Sequence, residues 1–309
     1  MRDLAARVRA EAAKAVVGLD ATVDLLVGTL VLGGHVLLEG PPGTAKTLMG
    51  AAVARSLDLD FRRVQFTPDM LPSDLTGTMT LRGGELAFRP GPVFTNVLLA
   101  DEINRTPPKT QAALLEAMGE GQVSVDGAAR PLDFPFFVIA TQNPIEYEGT
   151  YPLPEAQLDR FLMRLDIGYP APEAERAMLR MPRRGVAPPA LDAIARVAGA
   201  AELEQARTEV DATVVSDQVL GYAADVVRAT RALPSVSLGA SPRAAVHLLA
   251  ASRVAARLAG REFVTPDDVA AVATPVLAHR LVLAPEAELE RYGTADAIRA
   301  ALAAVPVPR

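Results

Sequence analysis

The stretch Leu38–Gly50, LEGPPGTAKTLMG, sets a lysine and a hydroxyl directly after a turn rich in glycine and proline. A loop of the form G-x-x-x-x-G-K-[ST] cradles phosphates with its backbone N–H groups, its lysine and its hydroxyl. Gly40, Lys46 and Thr47 occupy their slots, with Pro41, Pro42, Gly43 and Thr44 between them and Leu48 continuing into a helix. Ala45 stands where the second glycine is usual. The spacing predicts that the loop has already turned into the helix at Ala45, where φ is negative and a methyl costs little. On that reading Gly43 is the better candidate for a special backbone conformation. The chain has only three lysines, Lys14, Lys46 and Lys109, among 31 basic residues. A compact ammonium fits where a guanidinium would overfill the loop.

Two carboxylates supply the complementary chemistry. The apolar run NVLLADEINR ends in Asp101 and Glu102. Asp101 is suited to the hydration shell of Mg²⁺, and Glu102 to orienting or deprotonating an attacking water. An acidic pair can also cap a following helix, but Thr106-Pro107-Pro108 is the better helix start. FFVIATQNP ends a run with Asn143, whose amide could place water near a γ-phosphate; on its own an asparagine there makes a turn. LDRFLMRL sets Arg160 and Arg164 at helical spacing, and GASPRAAVHLL puts Arg243 in the first turn of a helix. Either could equally be a solvated surface cation. His35, His247 and His279 are scattered, so no transition-metal site is expected.

These groups need a scaffold, and the residue pattern predicts one. Five short apolar runs, HVLLEG, FRRVQF, NVLLADE, FFVIATQN and RLDIGY, alternate with helical patterns up to about residue 170. Runs apolar at successive positions read as strands of a parallel sheet covered on both faces. Two stretches read as additions to that sheet: residues 67–92, long and full of turn formers, and residues 122–134, where Asp126-Gly127 signals a hairpin. Met181–Ala190, MPRRGVAPPA, reads as a linker. Beyond it the pattern is helical, with Ser241-Pro242 and Thr265-Pro266 as helix starts. The division is therefore 1–184 and 185–309.

Bulk properties narrow the class. The 309 residues are 50% hydrophobic and 22% charged, with a net charge of −6 and no cysteine. That balance argues against a protein devoted to gripping nucleic acid, and it excludes a disulfide framework. The N-terminus lacks the apolar block of a signal peptide, and the longest apolar run is too interrupted to span a bilayer. A soluble cytoplasmic protein without membrane insertion is expected.

In order and spacing, these elements resemble the AAA+ ATPases, and the wording QFTPDMLPSD, DEINR, ATQNP, LPEAQLDRF and SPRA resembles the MoxR family over nearly the whole chain. Members of that family often carry alanine before the loop lysine. The resemblance implies a P-loop αβα sandwich with a five-stranded parallel sheet, followed by a smaller all-helical lid. It implies ATP and Mg²⁺ as cofactors, Lys46 and Thr47 as Walker A, Asp101 and Glu102 as Walker B, and Asn143 as sensor 1. Arg160 becomes the arginine finger, with Arg164 a lower-ranked candidate, and Arg243 becomes sensor 2, gripping the nucleotide from the lid opposite Lys46. Gln65 is placed to contact Glu102 and switch it. The resemblance further implies a hexameric ring, a protein client remodelled in a chaperone-like way, and a partner with a von Willebrand factor A domain. A magnesium-chelatase-like motor subunit and a nucleotide-gated scaffold are the alternatives.

Overall fold

The structure, a computed structural model, describes residues 1–143, 149–182 and 191–308. In chain order it opens with helices α1 (Arg2–Ala12) and α2 (Asp20–Val31), strand β1 (Val36–Glu39), helix α3 (Lys46–Ser56) and strand β2 (Phe61–Gln65). A short helix α4 (Pro72–Thr76) and the hairpin β3 (Gly77–Arg82) and β4 (Glu85–Pro90) precede β5 (Val97–Asp101). Helix α5 (Pro108–Glu120), the hairpin β6 (Gln122–Val125) and β7 (Ala128–Pro131), and strand β8 (Phe137–Gln142) follow. A turn of helix α6 (Glu155–Leu158), strand β9 (Met163–Asp166) and α7 (Pro172–Arg180) complete this part.

The five predicted runs form one parallel sheet in the order β2-β5-β8-β1-β9. Interior strand β5 is buried at all five positions, whereas edge strand β2 buries only Val64 and exposes Arg62, Arg63 and Gln65. Successive side chains point to opposite faces, so the sheet feeds two cores. Val36, Leu38, Leu99 and Ile139 face one, and Leu37, Leu98, Val138 and Ala140 face the other. The second core is closed by α5 and by residues of both inserts, including Leu75, Val123 and Val125. The second insert is a hairpin, as expected, with Asp126 and Gly127 both at positive φ in its turn; the first, read only as a turn-rich addition, holds α4 and the β3–β4 hairpin.

The first core runs on through α1 and α2 into the C-terminal helices α8 (Ala200–Asp211), α9 (Asp217–Thr230), α10 (Pro242–Leu258), α11 (Pro266–Leu277) and α13 (Thr294–Ala304), from which it draws Leu203, Val226, Leu248, Val272 and Ile298; the short α12 (Pro285–Leu289) lies outside it. A Cβ on Gly28 would meet Val254 Cγ1 at 2.5 Å, so only glycine lets α2 approach α10 this closely. The N-caps fall where expected: Ser241 Oγ accepts from the Ala244 amide, and Thr265 forms a capping box with Asp268. The expectation of an all-helical lid needs correction. Strands β10 (Val236–Leu238) and β11 (Val282–Leu283) pair antiparallel there, because the segment before α10 and the segment before α12 run side by side and satisfy each other's backbone. Most of the expected linker, and the division at 184/185, lie outside the described residues. No helix among the described residues is long and apolar enough to cross a membrane.

Candidate functional site

The loop after β1 is held by its own backbone. A Cβ on Gly40 would come within 2.1 Å of the Ile167 carbonyl oxygen, so this position admits only glycine. Gly43 adopts φ 80°, as expected for it. Ala45 departs from expectation: it lies at φ 60° and ψ 19°, in the left-handed region, as the N-cap of α3. The helix begins one residue later than the spacing implied, at Lys46. Left-handed residues within such a loop turn successive N–H groups toward one concavity, which is an anion nest. Lys46 Nζ donates to the carbonyls of Gly40 and Pro41 at 2.5 and 3.1 Å, and the Thr44 hydroxyl donates to Pro41 O at 2.9 Å. Burial pulls the Lys46 ammonium below its ordinary value, while the negative charges of Asp101 and Glu102 oppose that shift.

The acidic pair lies across a cleft of about 740 Å³ from Lys46 and Thr47; Asn143 lines the same cleft. Asp101 ends β5, and its Oδ1 accepts from the Thr141 hydroxyl at 2.6 Å. Its Oδ2 accepts from Arg63 Nε and Nη2 at 3.1 and 2.8 Å. Glu102 leaves the strand with φ 58° and ψ 51°, a conformation uncommon for a residue with a side chain and frequent at functional sites. Its amide donates to Thr141 Oγ1 at 2.9 Å, so one hydroxyl on β8 ties both acidic residues in place. Glu102 Oε2 accepts from Gln65 Nε2 at 2.7 Å and pairs with Arg105 Nε at 2.9 Å. The expected contact between Gln65 and Glu102 is therefore present.

Among the described residues no cluster of three histidine, aspartate or glutamate side chains could hold a metal. A Mg²⁺ ion keeps several waters and phosphate oxygens and takes only one or two protein groups. The Thr47 hydroxyl and the Asp101 carboxylate line one cleft and fit that limited role. A second, more enclosed pocket of about 250 Å³ adjoins the loop, lined by Val17, Leu19, Leu48, Ile167 and Tyr169 among others. It shares Gly43, Thr44 and Ala45 with the cleft and mixes these apolar side chains with Asp166.

The arginines are distributed otherwise than the spacing suggested. Arg160 and Arg164 are not on a common helix: Arg160 lies in the turn after α6, and Arg164 lies within β9. Arg164 is paired inside the sheet, 3.7 Å from Glu39 and 3.6 Å from Asp166. Burial raises the Glu39 carboxyl above its usual range, and Arg164 opposes that. Arg160 is exposed and donates to the Leu115 carbonyl. Arg243 does not face Lys46 within the chain. It lines a separate cavity of about 310 Å³ together with Arg160, His35, His247 and residues 118–120. The physical reason is that the start of α10 packs on the turn at Asp159, which draws Arg243 toward that turn and away from the loop. Thr141 and Arg63 were not anticipated. Their signal was positional, a hydroxyl on the strand beside β5 and an arginine two residues before Gln65, but neither motif stands out without the register.

Comparison with known proteins agrees with this fold. A family model described as an ATPase family associated with various cellular activities (AAA) matches residues 35–163. A model for the AAA lid domain matches residues 228–301. An uncharacterized protein of Bacillus subtilis, YeaC, is 46% identical over 92% of this chain and 88% of its own length. Chaperone MoxR1 of Mycobacterium tuberculosis is 43% identical over 97% of this chain and 81% of its own. The crystal structure of a candidate ATPase from Cytophaga hutchinsonii superposes with a TM-score of 0.91 at 40% identity, covering 100% of this chain and 96% of that one.

Proposed function

Because the chain belongs to the MoxR family of AAA+ ATPases, we propose that it hydrolyses ATP and uses the cycle to remodel or mature a protein client. The single observation that carries the catalytic part is Glu102, held by Gln65 and Arg105 on the rim of the cleft that also contains Lys46 and Thr47. Phosphates lie in the loop, where Lys46 exchanges its bonds to the carbonyls of Gly40 and Pro41 for bonds to β- and γ-oxygens. Thr47 and Asp101 hold Mg²⁺, which when bound neutralises charge developing on the phosphates. Glu102 orients the attacking water and takes its proton, with Asn143 as a second positioning group.

Arg160 and Arg243 share a cavity away from their own loop, which supports a ring in which they meet a neighbour's phosphates. Membership of the family supports a hexamer, a client protein and a partner bearing a von Willebrand factor A domain as the working arrangement. Arg164, neutralised within the sheet, is set aside as the finger.

The test is phosphate release together with fluorescent-ATP titration. Lys46→Ala loses binding by about 10- to 100-fold, since a hydrogen bond to a charged group is worth roughly 1.5–3 kcal/mol. Glu102→Gln binds ATP and does not turn it over. Wild-type turnover in Glu102→Gln overturns the assignment of the base.

A further inference from the structure

The carboxylate next to Arg160 makes more connections than a turn needs. Asp159 Oδ1 accepts from Arg280 Nε at 2.8 Å, and both of its oxygens accept from the Ser241 hydroxyl at 3.1–3.2 Å. Its Oδ2 also lies 3.5 Å from Arg243 Nη1. Ser241 is the N-cap of α10, the helix whose first turn carries Arg243. Arg280 follows α11, and its side chain is only 1% exposed. It donates further to the Phe161 carbonyl at 2.6 Å, to His247 Nδ1 at 2.5 Å and to Val276 O. Burial lowers the Arg280 guanidinium to about 10, with Asp159 holding it up, so it stays cationic at neutral pH. Burial and the Arg280 charge lower His247 to about 4, which leaves its Nδ1 free to accept.

We propose that Asp159 is a positioning residue that presents Arg160 and Arg243 as one unit to a neighbouring copy of the chain. The inference rests on the ring arrangement proposed above. One carboxylate joins the turn bearing Arg160 to the helix bearing Arg243, and both arginines line the same cavity. A buried ion pair is a poor device for stability, since apolar residues of equal volume serve as well or better. It is a good device for fixing directions, because its donors and acceptors satisfy one another in only one geometry. Asp159 does not line the cleft around Lys46, so in the proposed ring its effect falls on the neighbour's site.

Asp159→Asn keeps the shape and removes the charge. Its assembly is expected to lose about 10²-fold in kcat, the scale of an ångström-sized misplacement, with fluorescent-ATP affinity unchanged. Mixing discriminates further. Glu102→Gln subunits carry an intact Asp159 and intact arginines, so ATPase activity reappears when they are mixed with Asp159→Asn subunits. Arg160→Ala subunits cannot restore Asp159→Asn, because both lack a working finger. If Asp159→Asn and Arg160→Ala complement each other, or if ATP affinity falls together with kcat, the proposal is overturned. The control mixture is Arg160→Ala with Glu102→Gln. Its failure overturns the neighbour arrangement itself, and this inference with it. Its success beside a silent mixture of Asp159→Asn and Glu102→Gln overturns the role of Asp159 alone. Should Asp159→Asn melt below the assay temperature, Asp159→Asn/Arg280→Gln leaves no unpaired buried cation and carries the same mixing test.

Discussion

Ala45→Gly separates two accounts of the phosphate loop by the sign of its effect. If Ala45 were the first helical residue, glycine would add unfolded-state entropy and lower stability by about 0.5–1 kcal/mol. The structure instead puts Ala45 at φ 60° and ψ 19°. An L-residue there pays about 1–2 kcal/mol for the approach of its Cβ to the following carbonyl oxygen, and glycine does not. Setting the relief against the entropy, Ala45→Gly should raise unfolding stability by about 0–1.5 kcal/mol. Ala45→Val adds a branched side chain to the same conformation, a genuine outlier. It should lower stability by at least about 1 kcal/mol and weaken ATP binding, since the loop can relax only by turning its N–H groups away from the phosphates. The assay is urea unfolding with a common m-value, paired with fluorescent-ATP titration. Destabilisation of Ala45→Gly by about 1 kcal/mol would refute the left-handed geometry, because that is the value for a helical site.

Three further outcomes are expected. Thr141→Val removes the hydroxyl that joins Asp101 to the Glu102 amide, leaving a buried donor unmet at about 1–3 kcal/mol; turnover and the melting midpoint should both fall, and unchanged turnover would dissociate Thr141 from the site. Arg63→Ala frees Asp101 from a half-exposed competing cation, so Mg²⁺ should promote fluorescent-ADP binding at up to about fivefold lower concentration, the scale of an exposed pair, whereas a higher Mg²⁺ requirement would show that Arg63 assists the metal. His35 is buried between the Val138 amide and the Met118 carbonyl, and desolvation lowers it to about 4 from an ordinary 6.5. The unfolded chain therefore binds the extra proton between those values, so the stability is fully present above about pH 6.5 and drains as pH falls toward 4. For His35 alone the loss at pH 5 is about 2 kcal/mol. His247 and His279, also lowered chiefly by burial, add to it, and the raised carboxyls of Asp24 and Glu39 work against it. Urea midpoints equal at pH 7.5 and pH 5 would contradict the neutral buried histidines.

What the sequence determined by itself is what depends on near neighbours. The five runs from HVLLEG to RLDIGY read as strands because each is short and apolar on successive positions, and the sheet uses all five. Ser241-Pro242, Thr265-Pro266 and Asp126-Gly127 declared two helix starts and a hairpin through local backbone chemistry, and each is where it was expected. Lys46, Thr47, Asp101, Glu102 and Asn143 were legible because strand ends are the positions from which a parallel sheet presents groups to one edge, and they do line one cleft. Tertiary structure decided the rest. The strand order, which lies outside any one segment, put Thr141 beside Asp101 on one side and, on the other, brought Arg63 within reach of it from the neighbouring strand. The left-handed turn at Ala45 is set by where the loop must meet α3, against the residue's own preference. Arg164 shows helical spacing from Arg160 but lies in a strand, because β9 pairs with β1 and delivers its guanidinium to Glu39. Arg243 parted from Lys46 because Asp159, 84 residues away in sequence, holds the start of its helix. Contacts of that separation arise only from the packing of whole elements, so no local pattern announces them.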